Sequence, residues 1–260
     1  MTAVTQAVSQ IRSRYKLLGI KPPATLFAEF TDVETKLGAS LRHDPADLAA
    51  AVADAQAAGV DPALDEKVRE QLARRQLAQS NLSQHLQPQR EQRQLEVLNR
   101  HAPELLADLG KVVAAADATL VKARHVIGGL HLDADYLGAV PVDKLSLWGE
   151  AREAAQKVHA AADLWAAIIT GTERLQQIPH GRRPLIIADL SYRDLDAVTH
   201  GQTYPAKPAD VIEAGHPLSL AADAEEFTRR CKRIDRERQD AAAQAHAEQE
   251  DASRRAWAMH

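Results

Sequence analysis

The sequence predicts an all-α protein: a helical bundle of long amphipathic helices with an extended, coiled-coil-like helix at its carboxyl end. Three observations carry that expectation. Alanine (49 residues) and leucine (29) fill three in ten of the 260 positions, and both favour helix. Aromatic residues make up 4% and Gly and Pro number 12 each, too few strand and turn formers for a many-stranded sandwich. Apolar residues also recur at alternating spacings of 3 and 4 over long stretches, the rhythm of a helix face.

Residues 3–18 open the chain as an amphipathic helix, with Val4, Val8, Ile11 and Tyr15 on one face and Gly19 and Pro22-Pro23 as its stop. A second helix follows over 26–41, anchored by Phe27, Phe30, Val33 and Leu37. Asp44-Pro45 and Asp61-Pro62 then repeat one start signal, an acid at N-cap and proline at N1. The second signal predicts one long helix from Asp61 to about Leu86, with Gln71 and Arg75 interrupting its apolar stripe. Eight glutamines between 71 and 94, with Pro88 among them, read as a hinge or exposed linker.

The clearest periodicity comes next. Leu106, Leu109, Val113, Ala116, Leu120, Ala123 and Ile127 form one stripe, ended by Gly128-Gly129. Leu147, Ala151, Ala154, Val158, Ala161, Trp165, Ile168, Thr172 and Leu175 form a second, ended by Pro179. Two such helices pack as an antiparallel pair. Between 179 and 217 the chain becomes irregular, with Leu185-Ile186-Ile187 as a strand candidate and Ser191–Val198 as a short helix. From Leu220 to Met259 a heptad rhythm returns, strong in apolar volume at first and alanine-rich later. The chain thus divides into an amino-terminal helical region (1–87), a bundle core (88–178), a connector (179–217) and a long terminal helix (218–260).

Net charge is −4, so no basic excess directs the chain to nucleic acid or an anionic membrane. No run approaches the roughly 18 apolar residues of a membrane span. The single cysteine, Cys231, and a start (MTAVTQAV) with no charged or apolar leader region suggest a cytoplasmic protein. Phosphate-binding glycine loops, nucleophile elbows and H-E-x-x-H are missing, and one cysteine excludes zinc ribbons. No cofactor is expected.

Four clusters carry some chemistry. His131, Asp133 and Asp135 would face one way on an extended loop and are weak metal-ligand candidates, with metal-free the preferred reading. Asp189, Tyr192, Arg193, Asp194, Asp196 and His200 follow the strand candidate, where helix capping explains them more simply than a site. His180, Arg182 and Arg183 form a basic H-G-R-R-P. Arg229, Arg230, Lys232, Arg233 and Arg236 could neutralise phosphates from one helix face, although flanking charges on a coiled coil account for them too.

The sequence therefore predicts a non-catalytic interaction or assembly protein. Its interaction seam is Leu220, Phe227, Cys231, Ile234 and Trp257, and its partner is a second copy or another protein. A nucleic-acid-associated protein is the alternative, and an enzyme with an unrecognised site the second. Arg outnumbers Lys by 22 to 10 and Asn occurs twice, a bias of GC-rich genomes. With its alanine-rich helices, this composition is similar to that of phage or prophage assembly proteins, which would place the protein in the cytoplasm or a virion.

Overall fold

The computed structural model describes residues 2–38, 44–80, 82–199 and 208–258. Among them the chain forms nine α-helices: α1 (Ala3–Leu18), α2 (Ala24–Gly38), α3 (Pro45–Ala57), α4 (Glu66–Gln79), α5 (Leu82–Ile127), α6 (Leu145–Gly171), α7 (Tyr192–Thr199), α8 (Pro208–Ala214) and α9 (Ala224–Ala258). Three 3₁₀ helices join them, at Ala134–Ala139, Val142–Lys144 and His180–Ile186. The all-α class is what the sequence predicts. Among the described residues, no helix is long and apolar enough to cross a membrane.

α6 is the central helix. It buries Trp148, Ala151, Ala154, Val158, Trp165, Ile168 and Ile169 between its neighbours. α5 lies antiparallel to it: Leu98 sits beside Gly171 at one end, and Ala115 and Ala116 share a groove with Ala154 further along. α1 is also antiparallel to α6, with Ala7 beside Gly171 and an Arg14–Asp163 ion pair at 3.0 Å. A Cβ on Gly171 would stand 2.7 Å from the Ala7 Cβ and 3.1 Å from Leu98 Cδ2. Glycine there lets three helices close on one point.

α1 forms as its sequence dictates. The Thr2 hydroxyl caps the Thr5 N–H at 3.3 Å, Val4, Ala7, Ile11, Tyr15 and Leu18 face inward, and Gly19 closes the end at φ 71°. α3 starts at the expected Asp44 cap, whose carboxylate accepts the Ala46 N–H at 2.9 Å. The second start signal behaves differently. Asp61 accepts the Ala63 N–H at 2.9 Å and closes a single turn, and the helix begins only at Asp65, which caps Val68 at 3.0 Å. Two acids four residues apart compete for the N-cap, and the extended Asp65 (ψ 131°) resets the chain. The expected 61–86 helix is therefore α4 and the first turn of α5, broken at Ser80.

Pro88 is not a hinge: α5 runs on through both Pro88 and Pro103. Each proline deletes one backbone hydrogen bond, and α2 splints the helix between them. Glu34 accepts from buried Gln94 and pairs with Arg90, while Glu29 takes Arg100 at 2.7 Å and His101 at 3.3 Å. α6 stops at Gly171, short of the expected Leu175. The Thr172 hydroxyl turns back to Ile169 O at 3.0 Å, and Glu173 adopts a left-handed conformation at φ 57°.

The strand candidate Leu185-Ile186-Ile187 is also corrected. Pro184 and its neighbours coil into a 3₁₀ helix that buries Leu185, Ile186 and Ile187 in the core. The turn spends few internal bonds, so Ile186 and Ile187 carbonyls accept from Ala221 and Ser219 N–H, both at 2.7 Å. An apolar triplet buried on all sides suits either geometry, and proline decided.

One hydrophobic core runs from Val4 through Leu98, Trp165 and Leu185 to Ile234. α3 and α4 have a small cluster of their own, Ala51, Ala55 and Val68.

Candidate functional site

α9 carries the arginine cluster and every seam residue but Leu220, and it is built as two unlike halves. It starts at Ala224, so Leu220 precedes it in irregular, half-buried chain rather than on the helix. Asp223 caps the Glu226 N–H at 2.8 Å, and the Glu226 carboxylate reaches back to the Ala222 N–H at 2.7 Å, two contacts that fix the start. Phe227 is buried against Trp165, ring centroids 5.4 Å apart, and Ile234 is fully buried. Trp165 in turn donates its indole N–H to Ala221 O at 2.6 Å. Cys231 is half-buried, which pushes its thiol pKa up. The inner seam is thus already filled by this chain's own core. The Trp257 side chain lies outside what is described.

The arginine cluster separates in the same way. Arg230 is 5% exposed. It donates to Leu185 O at 3.0 Å, to Ser219 O at 2.9 Å and to Glu226. Arg233 grips Asp189 with two hydrogen bonds, at 2.6 and 3.1 Å, and Leu190 O at 2.6 Å. That grip holds the Asp189 carboxyl below the ordinary range and raises Arg233. Glu237 accepts the Tyr192 N–H at 2.6 Å, and Asp235 pairs with Arg182. These contacts pin the inner half to the connector and α7. Arg229, Lys232 and Arg236 remain exposed on one stripe.

Beyond Ala241 the helix changes. Every residue from Ala242 to Arg254 whose side chain is described is exposed. Its helicity rests on alanine and on local pairs: Gln244 to Glu248 at 3.0 Å, His246–Glu250 and Arg254–Glu250 at 3.6 Å.

The other clusters are dispersed. His131 stacks on Tyr136 at 4.7 Å and lies 3.8 Å from Glu213, and the chain enters a 3₁₀ turn at Ala134. The extended loop that would have aligned His131, Asp133 and Asp135 does not form. Among the described residues, no three His, Cys, Asp or Glu side chains converge to hold a metal ion. Ser191 and Asp194 bond each other at 2.6 Å at the start of α7, which lowers the Asp194 pKa. His200 lies outside the described residues.

Sequence reasoning missed one feature. Between α1, α6 and the chain after α6 runs an open groove of about 450 Å³. Arg14, Asp163 and Arg183 lie along it, with alanines from both helices. Its signal in the sequence is faint, since small residues facing each other on α1 and α6 become visible only once those helices are paired. Compared with known protein families, curated proteins and solved structures, the chain matches none.

Proposed function

We propose that this is a non-catalytic helical interaction protein, of the structural or assembly kind, whose contact element is the outer half of α9. One observation carries the reading: the helix continues for more than three turns past half-buried Ala241, and among the described side chains there the heptad positions Ala245, Glu248 and Ala252 are exposed. A rod with small residues on a regular stripe offers close helix packing to a partner. The composition supports an assembly role of the phage or prophage type, in the cytoplasm or a virion.

The seam proposed for contact moves outward accordingly, from Phe227 and Ile234 to Ala241, Ala245 and Ala252. Nucleic-acid binding is the weaker reading, because Arg230 and Arg233 are engaged internally and only Arg229, Lys232 and Arg236 keep a common exposed stripe. Lysine at Ala241, Ala245 and Ala252 preserves helix propensity and blocks packing. Sedimentation and pull-down should then show the loss of complexes that the unaltered protein forms. A strict monomer at high concentration that retains no partner would overturn the reading.

A further inference from the structure

We propose that the outer half of α9 of one copy docks into the α1–α6 groove of a second copy, so that the protein assembles head to tail. The inference rests on the reading above and names the partner. Ala3, Ala7, Ala166 and Ala167 line the groove, small residues that leave room between two helices. Gln6 and Gln10 line its α1 side. Two arginines stand against one aspartate: Arg14 is paired with Asp163 at 3.0 Å, and exposed Arg183 has no partner among the described residues. No α9 residue lines the groove, and the inner half of the chain's own α9 is pinned elsewhere.

The helix on offer matches in bulk, length and charge. Ala241, Ala242, Ala243, Ala245 and Ala247 give it a narrow section, so it can sit close to the alanines of the groove. Ala3 to Arg14 spans about 16 Å of α1, and Ala241 to Asp251 about 15 Å of α9, at 1.5 Å per residue. From Gln239 to Ser253 the helix holds Asp240, Glu248, Glu250 and Asp251 and no Lys or Arg. The local partners of Glu248 and Glu250 are exposed i,i+4 pairs, which exchange at little cost. Groove and helix are different patches of one molecule, so the contact is heterologous and builds open chains or closed rings.

Two full-length variants test it by sedimentation across a concentration series. Arg183→Glu reverses the groove; Glu250→Arg with Asp251→Arg reverses the helix. All three sites are exposed, so melting curves should match the unaltered protein. Each variant alone should need at least tenfold higher concentration to associate. Mixed one to one, they should recover association, because each mixture contact joins opposite charges. If helix reversal abolishes assembly and Arg183→Glu does not, or if the mixture fails to recover, the groove is not the receptor. Those results overturn the inference and leave α9 as the contact element. An unaltered protein that stays monomeric yet retains another protein through α9 likewise overturns self-docking alone.

Discussion

The inner and outer halves of α9 share one helix and one heptad rhythm but differ in what their seam residues can bury. Residues 224–237 carry Phe227 and Ile234 into the core and lay Arg230 under the connector. Residues 242–254 put Ala245, Glu248 and Ala252 at the equivalent positions, and all three are exposed. A buried Phe or Ile removes enough apolar area to stabilise by about 1.5–3 kcal/mol, and alanine far less. Periodicity sets which residues share a face; side-chain volume sets whether that face binds its own body or is left for another.

Substitutions can break this contrast. Phe227→Ala should cost roughly 3–5 kcal/mol and lower the melting temperature by about 10 °C at roughly 2–4 °C per kcal/mol. Ala245→Gly in the outer half should cost about 1 kcal/mol of local helix, seen as faster amide exchange there with an unchanged global melt. Equal melting shifts for the two would mean that the halves form one cooperative unit.

Arg230→Ala comes next. It removes a donor from Leu185 O, Ser219 O and Glu226 and should cost about 3 kcal/mol, whereas Arg238→Ala, exposed on the same helix, should stay within about 0.5 kcal/mol. Denaturant melts of the two variants check this, and a small effect at Arg230 would show that water replaces its bonds. The smallest effect is acid sensitivity at Asp189. Its carboxyl is held low by the Arg233 hydrogen bonds and by the charges of Arg233 and Arg230, with burial opposing. A depressed folded pKa means the pin is fully present above the ordinary aspartate value of about 3.9 and is lost as pH falls through the folded value. An NMR titration of Asp189 should give a midpoint below about 3.9, and Arg233→Gln should raise it. The pair is half exposed, so the gain in stability is modest.

Much of this architecture is legible in local sequence. The α1 stripe and its Gly19 stop, the Asp44-Pro45 start, the stripes of α5 and α6 and the 224–258 rhythm are short-range signals. Each acts within one or two turns, so no tertiary knowledge is needed to read it. Three readings fail for one shared reason. Asp61 loses its helix to Asp65, Pro88 stays helical under the α2 splint, and Leu185-Ile186-Ile187 coils under Pro184. In each case two local outcomes lie within a few kcal/mol, and capping competition or packing selects between them.

The candidate site divides similarly. The sequence places the seam and the arginines on α9, but cannot say that Arg230 turns inward to Leu185 O or that Arg233 reaches Asp189, residues more than forty positions away. By itself the sequence determined the all-α class, the course of α1 and the main stripes of α5, α6 and α9, because backbone propensity and periodicity are local. Only the tertiary structure decided which stripes meet, which charges are consumed within the chain, and where alanines on α1 and α6 leave a groove. Those outcomes depend on long-range complementarity of volume and charge, which no short stretch of chain contains.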